Sequence, residues 1–600
     1  MKFLLSVFPL LSTVWFFANS YQAIAQNIPS LSTSVNTGNQ IILNGRTLPG
    51  AWLQSTAAGS QTYLSDGAVK QLMGIDLLSS NNPSQQPIQW FSGSLVLNTN
   101  LSGGYRYLNI TQLAVKQSWQ IQANGNTLAI STPGSQLKNI RLGKQPQGDR
   151  VVLDLDTATP WQIRQELPVK KVIDPDEIIP KSTTPPNRDW TLTLDGIADA
   201  ALLQRYNSQP SKPESIIQKV EVVNNQTIVR LSVPFGQSVQ VSTIPQPNRL
   251  VIDIRPDALV NKSIAWTQGL QWRQQMVTLE TDRFPVVWLD INPRTVGLTI
   301  KPIVTNPQTL TGTAPIMQTA QNYLAVAAIN GGYFNRNNKL PLGAIRRDNE
   351  WISGPILNRG AIAWDNKGQF YFGRLTLTET LITSNNQRLP ISLLNTGYVQ
   401  RGIARYTPAW GNTYTPLADN ETILVIQNNE VINQLAGGKS GTTPIPIPEN
   451  GYLLIFRNQT PQLPIGTRVN LTSTTTTPEF SRYPHIVGAG PLLVQNRQIV
   501  LDGSAERFNP TFMKGEAVRS SICTNSTGNL MIAAVSNRAG GGGPTLAEQA
   551  KLMQTMGCIN ALNLDGGSST SLYLSGQLLD RSPNTAARVH NGIGIFLEAK

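Results

Sequence analysis

The sequence has 600 residues, with 48 Lys and Arg against 35 Asp and Glu, which gives a formal net charge of +13. Its length predicts several domains, and its 40% hydrophobic and 14% charged residues argue against both a disordered polymer and a polytopic membrane protein. Only two His and two Cys are present, which excludes a disulfide-rich scaffold and nearly excludes a zinc site, since four ligands would use all of them. Catalysis would therefore rely on carboxylates, arginines, amides and hydroxyls.

The first predicted element is a signal peptide over residues 1–25. Lys2 precedes an apolar run from Phe3 to Ala18, and Ala23-Ile24-Ala25 supplies a small-x-small cleavage pattern. The run is short for a retained membrane anchor, which is the alternative, and it lacks a basic flank. We therefore expect export to the periplasm, the cell envelope or the extracellular space, with no transmembrane segment after cleavage. Because Lys and Arg are scattered along an exported chain, we expect no nucleic-acid partner.

Residues 26–135 predict a small mixed domain. Asn44-Gly45 and Asn124-Gly125 each separate two short strand-like runs, which is typical of hairpins. Asp66 is expected to cap a short helix that ends at Gly74. The region resembles the stalk domain of the copper amine oxidase N-terminal type, but it contains no His or Cys and so nothing in it predicts copper.

Residues 136–260 predict β-rich structure, with a proline-bearing linker over 174–189. Apolar and polar residues alternate in three runs, over 150–156, 227–233 and 249–254, as in half-buried strands. The segments "RVVLDLD" and "NRLVIDI" resemble the AMIN domain, an envelope module associated with cell-wall and polysaccharide targeting. Any antiparallel β-sandwich would account for the pattern equally well.

Residues 266–600 predict a larger domain of mixed strands and helices. Strand-like runs over 286–289 and 296–300 precede a predicted helix over 314–323. A later helix has a clear start, because Thr545 and Glu548 form a capping box, and it ends at Gly557. The chain as a whole is therefore expected to be a multidomain α+β protein.

Three glycine-bearing segments in this last region each follow an apolar run. They are Asn330-Gly331-Gly332, Gly488-Ala489-Gly490 and Asp565-Gly566-Gly567-Ser568. A strand that ends in glycines can present backbone amides to a ligand, since the missing side chains permit close approach. Asp565 would add a carboxylate at such a strand end.

Taken together, "AAINGGYFN", "VGAGPLLV", "TLAEQAKLMQTMGC", "NLDGGSSTSLYL" and "ARVHNGIGIF" resemble the phosphodiester glycosidase family, over roughly residues 266–600. The family commonly has three glycines before its serines, whereas this sequence has two, Gly566 and Gly567. The resemblance implies hydrolysis of a sugar-1-phosphodiester, and the substrate would be an envelope glycopolymer or exopolysaccharide with such linkages. The N-terminal modules would then associate with the cell wall or with a polymer.

The resemblance also implies roles for individual residues. Asp565 is the expected catalytic carboxylate, and Arg519, in a strand-like run, is expected to bind phosphate. Glu516 is a second candidate carboxylate, although a strand would direct it to the face opposite Arg519. Substrate binding is expected from the remaining candidates, which are Asn330, Gly331, Gly332, Asn563, Gly566, Gly567, Ser568, Arg588 and His485.

Several alternatives stay open at this point. The domain could be a non-catalytic scaffold that binds cell wall or polysaccharide, whereas an esterase using Ser568 or Ser569 lacks a nucleophile-elbow motif. No cofactor is required, although calcium or magnesium bound by oxygen ligands is compatible with the composition. Cys523 and Cys558 could form a disulfide or stay as two buried thiols.

Overall fold

The computed structural model describes residues 35–55, 59–167, 185–208 and 214–598. The predicted signal peptide and residues 174–184 of the predicted linker lie outside these ranges. The described chain is rich in strands with a few short helices, and it confirms the expected multidomain α+β class. None of the helices in the described ranges is both long and apolar enough to cross a membrane.

The first unit is a nine-stranded sheet with two short helices, Asp66–Gln71 and Thr111–Lys116. Both predicted hairpins are confirmed, but the cap of the first helix is Ser65, whose hydroxyl accepts a hydrogen bond from the amide of Ala68 at 3.3 Å. Asp66 is the first helical residue. In spatial order the strands are Asp76–Leu77, Gln85–Trp90, Gly93–Ser102, Tyr105–Asn109, Gln61–Ser65, Arg46–Ser55, Val35–Leu43, Thr127–Ser131 and Gln120–Asn124.

The second unit contains two antiparallel-rich sheets and the helix Ala200–Asn207. The two segments that carry the AMIN-like motifs pair with each other, with Val151 opposite Ile252 and Leu153 opposite Leu250. All four side chains are buried, as their alternation predicts. The first sheet has the strands Ile197–Ala198, Gln136–Gln145, Gly148–Leu155, Asn248–Arg255 and Ser238–Ile244, and the second has Trp161–Gln165, Arg188–Leu194, Gln226–Val233 and Ile217–Val223.

Two large sheets of the C-terminal region supply most of the strands near the site described below. The eight-stranded sheet has the order Lys262–Thr267, Leu270–Leu279, Asp282–Ile291, Leu530–Val535, Arg519–Asn525, Cys558–Asn563, Leu492–Gln495 and Gln498–Ile499. A five-stranded sheet has the order Leu298–Val304, Asn591–Leu597, Ala327–Asn330, Leu572–Leu574 and Gln577–Leu578. The last strand in sequence, Asn591–Leu597, is therefore interior to its sheet and pairs with a strand on either side.

The other C-terminal sheets are smaller. A second five-stranded sheet has Glu350–Ser353, Ile345–Arg347, His485–Gly488, Gly360–Trp364 and Phe370–Arg374, and a third has Leu393–Leu394, Gly402–Tyr406, Gly451–Arg457, Thr422–Gln427 and Glu430–Ala436. The remaining strands are Arg388–Ile391, Thr376–Thr383 and Val469–Thr476 in one sheet, and Thr413–Tyr414 and Ile445–Pro446 in another.

The helices of the C-terminal region are Ile316–Asn322, Pro510–Lys514 and Leu546–Thr555. The predicted capping box is confirmed: the Thr545 hydroxyl accepts a hydrogen bond from the Glu548 amide at 3.2 Å, and the Glu548 carboxylate accepts one from the Thr545 amide at 2.7 Å. This helix packs its apolar face against the eight-stranded sheet. Two neighbouring strands of that sheet are joined by a disulfide between Cys523 and Cys558.

A buried polar cluster joins the first unit to the C-terminal region. The Arg106 guanidinium donates to the Asp66 carboxylate at 3.0 Å, which also accepts a hydrogen bond from the Trp266 indole at 2.6 Å. The Arg106 amide donates to the Ser575 hydroxyl at 2.8 Å. The pair of Asp66 and Arg106 lies within the first unit, and the hydrogen bonds to Trp266 and Ser575 connect it to the C-terminal region.

Candidate functional site

The three glycine-bearing segments meet at one place in the C-terminal region. The Asp565 amide donates a hydrogen bond to the Gly331 carbonyl at 3.0 Å, and the Gly490 amide donates to the Asn563 carbonyl at 3.0 Å. These contacts bring together strand ends from three distant parts of the sequence. The three segments therefore pack against one another in the folded chain.

Gly331 and Gly332 lie where a side chain would not fit. A Cβ atom on Gly331 would lie 2.1 Å from the Asn591 side-chain oxygen, and one on Gly332 would lie 2.2 Å from the Gly488 carbonyl oxygen. The same Asn591 oxygen accepts a hydrogen bond from the Gly332 amide at 2.8 Å. The two glycines therefore allow neighbouring segments to approach closely. The Gly332 amide already donates to Asn591 and is not free to bind a ligand.

Asp565 lies two residues beyond the strand Cys558–Asn563 and is partly buried. Burial raises the pKa of its carboxyl from 3.8 to about 6. Hydrogen bonds from the Ser569 side chain and the Gly566 amide, together with the charge of Arg336, act in the opposite direction. A carboxylate with this pKa can accept a proton near neutral pH.

The side chain of Asn330 holds the backbone of Asp565 in place. Its side-chain nitrogen donates to the Asp565 carbonyl at 2.6 Å, and its side-chain oxygen accepts hydrogen bonds from the Ser520 hydroxyl at 2.7 Å and the Ser571 amide at 3.1 Å. Asn330 is fully buried. Its amide is therefore engaged in positioning, and not exposed for direct substrate contact.

Asn563 is also fully buried beside the aspartate. Its side-chain nitrogen donates to the carbonyls of Gly490 and Leu564, at 2.9 and 2.8 Å, and lies 3.2 Å from the Tyr333 hydroxyl. Its side-chain oxygen has no hydrogen-bond partner among the described residues. Asn563 thus joins two of the three glycine-bearing segments.

Arg519 is the first residue of the strand Arg519–Asn525 and is buried. Its guanidinium donates to the carbonyls of Gly515 and Pro544, at 2.5 and 3.2 Å, but forms no ion pair within the described ranges. Its Cδ lies 3.5 Å from the position that a Cβ on Gly566 would take, so the side chain passes directly beside the residue that follows Asp565. Burial without a carboxylate partner lowers its pKa.

A cluster of aromatic rings adjoins these residues, and we call Tyr333, Phe508 and Phe512 the aromatic wall. Phe508 and Phe512 stack with ring centroids 5.2 Å apart, and Tyr333 meets Phe508 edge-on at 5.8 Å. Arg359 lies over Phe508 at 4.3 Å, and Arg519 lies over Phe512 at 5.6 Å. The wall therefore carries two guanidinium groups on its faces.

Arg359 was not predicted from the sequence. Its Nε is buried and has no hydrogen-bond partner among the described residues, and burial lowers its pKa. It precedes the strand Gly360–Trp364, more than 150 residues from Arg519, and no motif surrounds it. The only local signal for this part of the site is the four-residue spacing of Phe508 and Phe512. That spacing by itself predicts only that the two rings share one face of a helix.

Two predicted residues form no hydrogen bond or ion pair with Asp565 within the described ranges. His485 begins the strand that ends at Gly488, so it stands at the other end from the glycines. It is fully buried against Trp364, its Nδ1 accepts a hydrogen bond from the Asp348 amide at 3.2 Å, and burial lowers its pKa to about 4. Arg588 is exposed and donates to the Thr313 carbonyl. Their roles in substrate binding stay predictions without a supporting contact.

Glu516 differs from its expected conformation. The strand begins at Arg519, so Glu516 precedes it and the prediction of opposite strand faces was wrong. The Glu516 side chain is 55% exposed, and its carboxylate lies 3.6 Å from the Arg538 guanidinium. A catalytic role for it stays a prediction.

The turn after Asp565 uses glycine for its conformation. Gly567 has a φ of +65°, and its amide donates to the Val518 carbonyl at 2.8 Å. Ser568 is exposed, whereas Ser569 is buried and bonded to Asp565. The imidazole of His590 is bonded to the Leu310 carbonyl at 2.7 Å, so it is not placed to activate either serine.

A metal ion would fit this arrangement poorly. Among the described residues, no three His, Cys, Asp or Glu side chains come together as a metal site. Asp565 would offer one carboxylate, within reach of the positive charge of Arg336. A calcium or magnesium ion prefers several oxygen ligands, so we assign no step to one.

Comparison with known proteins identifies part of the chain. Residues 418–596 match the family model described as phosphodiester glycosidase. The matched range is shorter than the predicted 266–600, and it excludes Asn330, Tyr333 and Arg359. No curated protein matches the chain.

Among solved structures, the chain is similar to a hypothetical protein from Synechocystis, with 43% identity, a TM-score of 0.85, and coverage of 94% of this chain and 99% of that one. It is more distantly similar to a putative exported protein from Burkholderia pseudomallei, with 14% identity, a TM-score of 0.45 and coverage of 76% and 99%. The catalytic domain of zebrafish N-acetylglucosamine-1-phosphodiester alpha-N-acetylglucosaminidase, auto-inhibited by its pro-peptide, gives 13% identity, a TM-score of 0.30 and coverage of 56% and 85%. These last two similarities are too low to support an argument here.

Proposed function

The chain belongs to one family with the Synechocystis protein and carries a phosphodiester glycosidase domain, and from this premise we propose that it is an exported hydrolase of sugar-1-phosphodiesters. Its substrates would be envelope glycopolymers or exopolysaccharides with such linkages. The two N-terminal units would keep the enzyme near these polymers.

One observation carries the proposal: the Asp565 carboxyl, whose pKa is raised, and two arginines that form no ion pair among the described residues all act on the buried Tyr333. Asp565 supplies the carboxylate, and Arg519 and Arg359 form no ion pair among the described residues. A guanidinium that is partly desolvated and lacks a counter-ion favours binding of an anion. A phosphodiester would supply that anion next to the bond to be cleaved.

In the proposed reaction, Asp565 acts as a general base. It takes a proton from a water molecule, whose oxygen forms a bond to the anomeric carbon. The bond from that carbon to the phosphate oxygen breaks, and its electron pair leaves with the phosphate monoester. Because a phosphate is a good leaving group, the reaction depends less on a general acid than ordinary glycoside hydrolysis does.

The arginines would stabilise the leaving phosphate. Charge-assisted hydrogen bonds from a planar guanidinium suit the oxygens of a phosphate, and charge develops on these oxygens as the bond breaks. The Arg359 guanidinium lies over the Phe508 ring at 4.3 Å, and Arg519 is held by the two backbone carbonyls that it contacts. Such anchoring reduces the reorganisation needed in the transition state.

Export is supported by the disulfide between Cys523 and Cys558 and by the signal-like composition of residues 1–25. Disulfides persist in oxidising compartments and are rare in the cytosol.

The test is hydrolysis of N-acetylglucosamine-1-phosphate methyl diester, and of the corresponding glucose diester, by the full chain. Release of the free sugar together with methyl phosphate would support the proposal, and Asp565→Asn should abolish it. If neither diester is cleaved while a polysaccharide binds tightly, the chain is a non-catalytic scaffold instead. If a serine ester is cleaved and the diesters are not, the esterase alternative replaces the proposal.

A further inference from the structure

A groove of about 690 Å³ lies between the first unit and the C-terminal region. One wall is the turn between the strands Gly93–Ser102 and Tyr105–Asn109. The other wall is formed by two turns of the C-terminal region, at residues 267–268 and 295–297. None of the residues that form the site around Asp565 lines this groove, so it is a separate feature of the surface.

The groove carries almost no charge. Its polar lining consists mainly of hydroxyl and amide groups, and among the described residues Glu598 is the only charged one that lines it. A polyanion would gain little from this surface, since no Lys or Arg of the described ranges lines it.

The lining also presents apolar surface to solvent. Val296 is 91% exposed and Leu101 is 42% exposed, and both line the groove beside the ring of Tyr105. Ligand pockets commonly combine apolar walls with a few hydrogen-bonding groups, and this groove falls within their usual range of volumes. Apolar surface alternating with hydroxyls and amides matches the two faces of a sugar ring, which has C–H groups on one side and hydroxyls around its edge.

The two walls are fixed relative to each other. Backbone hydrogen bonds connect Ser80 to Ser263, at 2.9 Å, and to Ala265, at 2.7 Å, close to the turn that forms part of the groove. Arg106 follows Tyr105 in sequence, and its amide donates a hydrogen bond to the Ser575 hydroxyl of the C-terminal region at 2.8 Å. A preformed groove binds a ligand without the cost of ordering its walls.

We propose that this groove binds a short segment of a neutral polysaccharide. The neutral hydroxyl and amide lining, the exposed apolar side chains and the fixed walls carry this inference together. It does not depend on the proposed hydrolase activity, because a scaffold could use the groove equally well. Its role would be to hold a polymer next to the enzyme's C-terminal region.

The test is binding of the full chain to a printed array of neutral and anionic oligosaccharides, followed by titration calorimetry with the best neutral binder. Val296→Lys should weaken that binding about tenfold or more, the factor that about 1.4 kcal/mol of lost interaction produces. Asn100→Ala, which removes an exposed amide from the groove, should weaken it in the same direction. Val115→Lys is the matched control, because Val115 is 77% exposed and does not line the groove.

Equal loss of binding in Val296→Lys and Val115→Lys would overturn the proposal, since the effect would then come from added charge alone. Binding to anionic glycans or to peptides with none to neutral glycans would also overturn it, as would no binding to any neutral glycan. Diester hydrolysis should be unchanged in Val296→Lys. A variant that loses glycan binding but keeps hydrolysis therefore separates this site from the one at Asp565.

Discussion

The side-chain nitrogen of Asn330 lies 2.6 Å from the main-chain oxygen of Asp565, although 235 residues separate the two in sequence. The same asparagine also receives hydrogen bonds from Ser520 and Ser571. One fully buried amide therefore connects three strand ends and sets where the carboxylate of Asp565 stands.

Removing this amide should destabilise the protein. We expect Asn330→Ala to lower the free energy of unfolding by about 1–3 kcal/mol, because it leaves buried groups without partners. Chemical denaturation of the variant measures this change, with Ser520→Ala as the second arm of a double-mutant cycle. Unchanged stability would show that water replaces the amide, and the positioning role would then be wrong.

Replacing the carboxylate of Asp565 should lower activity strongly while leaving stability nearly unchanged. Asp565→Asn should lower turnover about 100- to 10,000-fold, the usual contribution of a general base. The thermal midpoint should stay nearly the same or rise, because the variant no longer has to bury a charge. A large loss of stability with residual activity would identify Asp565 as a structural turn residue.

Activity should depend on the ionisation of Asp565. A general base works in its charged form, so kcat/KM should rise with pH through the pKa of about 6 and then level off. A profile measured from pH 4 to 8 tests this expectation. A flat profile over that range would mean that another group controls the rate.

The contribution of Asp565 to the free energy of unfolding should change with pH in the opposite direction. Its pKa is raised in the folded protein from 3.8 to about 6, so the folded state binds the proton more tightly than the unfolded state does. The resulting stabilisation is fully present below pH 3.8 and is lost as pH rises through about 6. Subtracting the pH dependence of Asp565→Asn from that of the parent chain isolates this contribution.

Arg359 should contribute to the reaction, although it lies more than 150 residues from Arg519 in sequence. Arg359→Gln should lower kcat/KM about 10- to 100-fold, which corresponds to the loss of one charged hydrogen bond to phosphate. Arg346→Gln is the control, because Arg346 also stacks on an aromatic ring, that of Trp351 at 5.4 Å, but does not contact the aromatic wall. Equal effects of the two variants would remove Arg359 from the proposed site.

Local signals were sufficient for much of the fold. The Asn-Gly turns, the alternating strands and the Thr545–Glu548 capping box are encoded within a few residues, and all are confirmed. The cap of the first helix was displaced by one residue, because Ser65 offers a hydroxyl where Asp66 was expected to act. Glu516 was misplaced because its strand begins only at Arg519.

The site was only partly predictable for a different reason. Asp565 and the glycines mark strand ends, and strand ends have a local pattern. Arg359 and the aromatic wall come together only through pairing of strands that are far apart in sequence, and no local pattern records that pairing. The informative property of Arg359 and Arg519 is that neither forms an ion pair among the described residues. This property can be seen only in the folded chain.

The interior position of the strand Asn591–Leu597 links two distant parts of the chain. Asn591 also holds the Gly332 amide, so a part of the candidate site is supplied by a residue 259 positions further along the chain. Removing this strand would leave Leu298–Val304 and Ala327–Asn330 without their shared partner. The geometry around Gly332 therefore depends on pairing between segments that are far apart in sequence.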